Sequence, residues 1–291
     1  MQLISIGQII DQTWDHYQKN WRELISVAAW LLLPAIIGVV ASTLYPNATT
    51  LLAANNLSAV ESSAVVVWFI NNSILAPIIG LLVFLMTVKM IHSQMEKRRV
   101  DFVSLTKSGW KLFLPVVLVN LLVFLVLAAF WLLVIPGILF YAIGALTNLS
   151  LIDGLGTIFM VAGVIAATIL TAEWLVYLIY SSMALVLENI HGKLALKRSK
   201  ELIHGRFWPV LIRFIVPKLV FFLVLVAAEW LVGYIIGVVI SSISGFNADL
   251  AAKLTYICIT LSITIGTILV NPLITISDYL LFDSLRSTSK K

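Results

Sequence analysis

The side chains best placed for chemistry in this chain are two glutamates, because each interrupts a long apolar stretch. Glu173 and Glu229 both lie in the five-residue sequence AEWLV, which occurs at 172–176 and again at 228–232. A carboxyl group at the centre of a membrane-spanning helix costs about 2.5–3.5 kcal/mol, so it is expected to face protein or water. The sequence therefore predicts two buried acids, each with a partner.

The partner of each glutamate is expected to be uncharged. Three basic residues come nearest in predicted depth, and all lie close to the predicted ends of spans: Lys89, Arg213 and Lys218. We therefore expect Glu173 and Glu229 to be protonated and to hold helices together as hydrogen-bond donors. The expected acceptors are the other glutamate, Asn120 and the threonine-rich segment around Asn271. The alternatives are that both glutamates carry protons or solute in transport, or that they face lipid without a role.

Small residues share a helical face with the second glutamate. Glu229, Gly233 and Gly237 are four residues apart, and the glycines form a G-x-x-x-G pattern. Such a pattern is typical of helices that approach one another closely in a membrane. We therefore expect Glu229 to point into a contact between helices.

The sequence does not contain the usual patterns of an enzyme or a metal site. The chain has four histidines, and none of them belongs to an H-E-x-x-H motif: His16, His92, His191 and His204. Cys258 is the single cysteine, so neither an internal disulfide nor a cysteine-based metal cluster is available. We also find no glycine-rich phosphate loop. The expectation is a protein without catalytic residues, metal or cofactor.

Composition assigns the chain to the integral membrane class. Of its 291 residues, 61% are hydrophobic and 11% are charged, and the mean hydropathy is +1.05. An ordinary globular domain has roughly a quarter of its residues charged. The first 21 residues do not resemble a cleavable signal peptide, so we expect the protein to insert through its own spans.

Six apolar runs reach the roughly 20 helical residues that a bilayer requires. They are approximately 22–44, 63–92, 113–135, 156–187, 217–241 and 252–282. The segment 138–151 is too short for another span, and it follows Pro136 and Gly137. It is expected either to continue the third helix beyond a kink or to form a half-helix that dips into the outer face.

The distribution of basic residues sets the expected orientation. With six spans, every lysine and arginine except Lys253 falls on one side of the membrane. The positive-inside rule then predicts a multi-pass cell-membrane protein with both termini in the cytoplasm. These cations flank spans and form no stripe on a soluble domain, so nucleic-acid binding is not expected.

A threefold pattern accompanies the spans. Trp21, Trp110 and Trp208 each mark the point where a polar, helix-like stretch meets an apolar run. Tryptophan suits a membrane interface because its ring is apolar and its N–H is polar. The pattern predicts a single all-α membrane domain of six transmembrane helices and three cytoplasmic interfacial amphipathic helices. Its three units would be approximately 1–95, 96–187 and 188–291.

The first amphipathic helix has a recognisable beginning. Ser5 and Gln8 have the spacing of a capping box, in which each side chain hydrogen-bonds to the backbone of the other residue. The alternative to a real repeat is that tryptophan is simply common at membrane borders.

Two segments carry a resemblance to a known family. They are IGQIIDQTWDHYQKNWRELISVAAWLLLPAII at the beginning and ALVLENIHGKLALKRSKELIHGRFWPVLI at 184–212. The matching positions are Leu187-Glu188, Gly192, Ala195-Leu196, Arg198-Ser199, Leu202, Gly205 and Phe207-Trp208. In these residues the chain resembles the six-helix membrane domain attached to some bacterial glycerophosphoryl diester phosphodiesterases, and its stand-alone relatives.

The resemblance implies a membrane module without the hydrolase. In the enzyme-bearing members, phosphodiesterase activity belongs to a separate soluble barrel, and six spans leave no room for one in these 291 residues. We therefore expect a non-enzymatic module that organises or assists a partner or an envelope process. Its expected partners are the lipid bilayer and either another protein or a second copy. The alternative is a small proton- or solute-linked transporter or exporter that uses the glutamates.

Overall fold

A computed structural model describes residues 3–45, 57–98, 101–245 and 248–289, and this described part is all helical, without strands. The α-helices are α1 (Ile6–Ala28), α2 (Leu32–Thr43), α3 (Ala59–Ile70), α4 (Ala76–Met95), α5 (Phe102–Phe130), α6 (Ile135–Thr147), α7 (Ser150–Leu178), α8 (Ser181–Glu188), α9 (Lys193–Ile203), α10 (Phe207–Ser244) and α11 (Ala248–Ser289). Short 3₁₀ turns at Ala29–Leu31 and Trp131–Val134 and a π-helical turn at Asn71–Leu75 join consecutive helices.

Six helical runs in the described residues are long and apolar enough to cross a membrane. They are Ile6–Thr43, Ala59–Met95, Phe102–Thr147, Ser150–Glu188, Phe207–Ile243 and Leu250–Thr288. The predicted number of six is confirmed, and each run overlaps one of the predicted spans.

The segment after Pro136 continues the third run. The 3₁₀ turn Trp131–Val134 connects α5 to α6, and Pro136 lies in the first turn of α6, where its missing N–H does not interrupt a hydrogen bond. The helix ends at Asn148, which adopts a left-handed conformation with φ 54° and lets the chain reverse into α7. Of the two expectations, the kinked extension is the one observed.

The first helix begins as predicted and bends beside Trp21. The Ser5 hydroxyl accepts a hydrogen bond from the Gln8 N–H at 3.2 Å, and Gln8 Oε1 accepts one from the Ser5 N–H at 3.1 Å, which confirms the capping box. Inside α1, Asn20 has non-helical angles of φ −124° and ψ 16°. The Asn20 amide donates to the His16 carbonyl at 2.9 Å and so satisfies a backbone group at the bend.

The chain divides by its internal contacts into two compact units. We call them the flanking unit, Gln2–Trp110 with Arg213–Asp283, and the central unit, Lys111–Ile212 with Ser284–Lys291. In the flanking unit α4 forms the core, because nearly every residue from Leu82 to Ile91 is buried. This division by contacts does not test the predicted division of the sequence into three units, which stays a prediction.

In the central unit, glycines bring α6 and α7 into close contact. Gly137 and Gly144 lie seven residues apart on α6, and Gly156 and Gly163 lie seven apart on α7. A Cβ atom built on any of them would collide with the backbone of the opposite segment: Gly137 with Met160, Gly144 with Asp153, Gly156 with Tyr141 and Gly163 with Leu133. The absence of these four side chains therefore allows the two backbones to touch.

This contact predicts opposite effects for two glycines on one helix. Gly156→Ala should lower the free energy of unfolding by about 1–3 kcal/mol, because its methyl group meets the Tyr141 backbone and the helices must separate. Gly154→Ala is the matched control, since nothing lies within 4 Å of its built Cβ. It should raise stability by about 0.5–1 kcal/mol through helix propensity.

Unfolding of both variants in mild detergent, followed by circular dichroism, measures the difference. Equal effects of the two substitutions would contradict a close helix contact at Gly156.

Candidate functional site

Glu229 lies in a contact between α10 and α11. Its Oε2 atom accepts a hydrogen bond of 2.7 Å from the Ser262 hydroxyl. Gly266, one turn further along α11, is buried against the same carboxyl, and a Cβ atom there would collide with Glu229 Oε1 and Leu225. Ser262 and Gly266 together form the surface of α11 that receives the Glu229 side chain.

The glycines that share a face with Glu229 do not make this contact. Nothing lies within 4 Å of a Cβ atom built on Gly233 or Gly237, among the residues that the structure describes. The small residue that permits the close approach is Gly266, on the opposite helix. Glu229 therefore lies in a helix contact as expected, but the G-x-x-x-G pattern is not what forms it.

Apolar grooves open on two sides of the Glu229 contact. One of about 680 Å³ contains Glu229, Ser262 and Gly266 in its lining, and the other, of about 430 Å³, contains Glu229, Trp230 and Gly233. Both are lined almost entirely by aliphatic and aromatic side chains. The carboxyl and the Ser262 hydroxyl are thus the main polar groups along this seam.

Glu173 is in a different setting. It lies in the last two turns of α7, it is exposed, and within the described ranges it makes no hydrogen bond and no ion pair. Its side chain lines a groove of about 660 Å³ together with Tyr177, Phe207 and Trp208. The structure therefore places Glu173 beside Trp208, one of the predicted interfacial residues.

The two asparagines have partners of their own. Asn120 Oδ1 accepts a hydrogen bond of 2.7 Å from the Ser182 hydroxyl. The Asn271 carbonyl accepts one of 2.9 Å from the Thr275 hydroxyl, within α11. In the part of the chain that the structure describes, hydrogen bonds do not connect either amide to Glu173 or Glu229.

The three tryptophans are all exposed, but their local settings differ. Their exposed fractions are 47% for Trp21, 54% for Trp110 and 68% for Trp208. Trp21 directly follows the bend in α1, Trp110 lies inside the continuous helix α5, and Trp208 is in the first turn of α10. Arg22 also lies over the Trp21 ring, with its guanidinium carbon 5.5 Å from the ring centre.

Sequence reasoning missed a buried ion pair in the flanking unit. Lys218 Nζ on α10 lies 2.8 Å from Asp278 Oδ1 on α11, and the two side chains are only 22% and 17% exposed. The Lys218 ammonium also lies 3.1 Å from the centre of the Phe214 ring. Two opposite charges in neighbouring apolar segments were the available signal, but Asp278 was not considered as a partner.

A second charged cluster joins elements of the central unit. Glu188 accepts two hydrogen bonds from Arg198, at 2.8 and 3.2 Å, and Arg286 Nε lies 3.3 Å from the same carboxylate. The hydrogen bonds to Glu188 raise the pKa of the Arg198 guanidinium. This fork geometry is the strongest form of an arginine–carboxylate contact.

Several positions of the 187–208 segment on which the expected family resemblance was based have visible structural roles. Glu188 and Arg198 form the pair just described. Ser199 accepts a hydrogen bond from the Tyr180 N–H at 3.1 Å and donates one to the Tyr177 carbonyl at 2.7 Å. Gly192 and Gly205 have φ values of 60° and 75°, which favour glycine. These residues thus shape the connection from α7 through α9 to α10.

Comparisons with known proteins do not extend this description: no protein-family model, curated protein or solved structure matches the chain. Within the described residues, no group of three or more histidine, cysteine, aspartate or glutamate side chains could hold a metal ion.

The ion pair allows a test of whether an unpaired charge costs more stability than removal of both charges. Asp278→Asn should lower the free energy of unfolding by about 3–5 kcal/mol, because it leaves the Lys218 ammonium buried without its counter-ion. The double variant Lys218→Met with Asp278→Leu should cost much less, since both charges are removed together.

An exposed pair on α9 supplies the control. Lys197 and Glu201 lie 3.9 Å apart in solvent, so Glu201→Gln should change stability by less than about 1 kcal/mol. A double variant that is less stable than Asp278→Asn, measured by unfolding in detergent, would show that the pair itself is strongly stabilising.

Proposed function

We propose that the chain is a cell-membrane protein whose six long helices span the bilayer, with both termini in the cytoplasm. The proposal is supported by the length and composition of the six runs and by the placement of charge. Among the 19 lysines and arginines, only Lys253 falls on the outer side in this topology. Both α1 and α9 have one apolar and one polar face, which is typical of helices that lie at a membrane interface.

The threefold arrangement belongs to the same proposal. Each unit would consist of an interfacial helix followed by a two-helix hairpin, with Trp21, Trp110 and Trp208 at the cytoplasmic surface. The exposure of all three rings supports this placement, since an interfacial tryptophan needs contact with headgroups.

Within that membrane, the protein acts as a non-enzymatic module that organises or assists a partner. The observation that carries this role is the Glu229 contact. Its carboxyl accepts a hydrogen bond from the Ser262 hydroxyl and packs on Gly266, as expected of a polar group that holds two helices together. A membrane carboxyl used for transport must instead exchange its partners during a cycle. Glu229 is therefore assigned a structural role in this module.

The transporter alternative has one observation in its favour. Asn71 is buried in the π-helical turn Asn71–Leu75 and donates to the Pro34 carbonyl at 3.0 Å, while its Oδ1 atom has no partner within the described residues. Irregular helix turns with buried polar groups occur at transport sites. A flux measurement therefore distinguishes a transporter from a module.

The proposed topology predicts which introduced cysteines are accessible. In a Cys258→Ser background, Leu149→Cys at the turn before α7 should react in intact cells with a thiol reagent that cannot cross membranes. Lys197→Cys on α9 should react only after the membrane is permeabilised, because that side faces the cytoplasm. The reverse pattern would overturn the proposed orientation.

The proposed role predicts how substitutions of Glu229 behave. Glu229→Gln should be nearly silent in detergent stability, because the amide oxygen still accepts the Ser262 hydroxyl in a side chain of similar volume. Glu229→Leu should lower the free energy of unfolding by about 0.6–2 kcal/mol, since it removes that acceptor. Ser262→Ala should have an effect of the same size.

The double variant Glu173→Gln with Glu229→Gln separates the module from the transporter. Unchanged growth, solute flux and melting temperature are expected for a structural module. Loss of a pH-dependent flux at an unchanged melting temperature would contradict the module and favour the transporter, because an amide cannot carry a proton.

A further inference from the structure

Glu173 stands apart because its carboxyl has no hydrogen-bond or ion-pair partner among the described residues. The carboxyl is exposed, and no lysine or arginine of the described chain lies within ion-pair distance. Lys200 on α9 is close by, but its ammonium lies 4.3 Å above the ring of the next residue, Trp174. An unmatched carboxylate beside apolar side chains is a favourable position for a positively charged ligand.

Three aromatic residues line the same groove: Tyr177, Phe207 and Trp208. The ring centres of Tyr177 and Phe207 lie 5.6 Å apart with planes inclined at 55°, and those of Phe207 and Trp208 lie 5.4 Å apart at 89°, so the rings pack against one another along the groove. They place aromatic surface in the same groove as the Glu173 carboxyl, and aromatic surface attracts ammonium groups. Carboxylate and rings together define the headgroup end of the groove.

The rest of the groove is apolar. Ile169, Ala172, Val176 and Leu211 line it, and its volume is about 660 Å³. This lining matches a hydrocarbon chain, and the space is large enough for part of a lipid in addition to its headgroup. A ligand that fits both ends must therefore combine an ammonium group with an apolar tail.

We propose that this groove is a binding site for the ethanolamine headgroup of a phospholipid. The ammonium group lies against the Glu173 carboxylate and the aromatic lining of the groove, while an acyl chain follows the apolar lining. The site rests on the proposed membrane location, but not on whether the protein is a module or a transporter.

Native mass spectrometry of the full chain in a non-ionic detergent tests the site. Phosphatidylethanolamine and phosphatidylglycerol with identical acyl chains are added separately, and the bound lipids are counted. We expect one phosphatidylethanolamine to bind at least about fivefold more tightly than phosphatidylglycerol, since each carries the same phosphate and tails but only one carries the ammonium.

Substitutions then assign the binding to the groove. Glu173→Gln should weaken binding of phosphatidylethanolamine about fivefold and leave phosphatidylglycerol unchanged, and Trp208→Leu should weaken it by a similar factor. Two variants in the central unit are controls without an expected effect: Glu201→Gln removes a carboxylate on α9 outside the groove, and Trp131→Leu removes an exposed tryptophan elsewhere.

Equal affinity for the two lipids, or an unchanged affinity in Glu173→Gln, would overturn the proposal. So would an equal loss in Glu201→Gln, because it would reduce the effect to overall charge. Folding is not at risk in Glu173→Gln, since the carboxyl is exposed and makes no hydrogen bond in the described structure. Lipid counting needs no measurement of flux or of a partner, so its failure is distinct from failure of the proposed function.

Discussion

Charge is scarce in this chain, and the need to pair each buried charge determines much of its helix packing. Only 11% of the residues are charged, and an isolated charge in an apolar interior costs several kcal/mol. Lys218 is therefore placed against Asp278, and Glu188 is placed against Arg198 and Arg286. Each ion pair fixes the rotation of the contributing helices about their axes and their relative shift along those axes. Apolar contacts alone define these two quantities only weakly.

Backbone contact without side chains complements this pairing. In the proposed membrane location, aliphatic surfaces gain little from burial, and helices associate where small residues permit close packing. The glycines of α6 and α7 provide such packing inside the central unit, and Gly266 provides it against Glu229 in the flanking unit. Charged pairs and glycine contacts thus add specific helix contacts to the apolar core that α4 forms.

The helices could be predicted from the sequence because length and hydropathy are local properties. Six runs and the capping box at Ser5 followed from residues close together in the chain, whereas the bend at Asn20 was not predicted. The contact between α6 and α7 was missed because its glycines are spaced seven residues apart and are divided between two helices. The G-x-x-x-G pattern at Gly233, in contrast, is visible within a single helix. The partner of Lys218 was missed because Asp278 is distant in sequence.

The two AEWLV segments show the same limit at the level of the site. Their five residues are identical, so any difference between Glu173 and Glu229 must come from what faces them. Glu229 meets a hydroxyl and a glycine on α11: Ser262 donates a hydrogen bond to its carboxyl, and Gly266 leaves room for it. Glu173 shares a groove with Tyr177, Phe207 and Trp208, and its carboxyl makes no hydrogen bond among the described residues. The same five residues therefore put one acid into a helix contact and the other into a groove, so the local sequence alone does not determine the setting of either carboxyl.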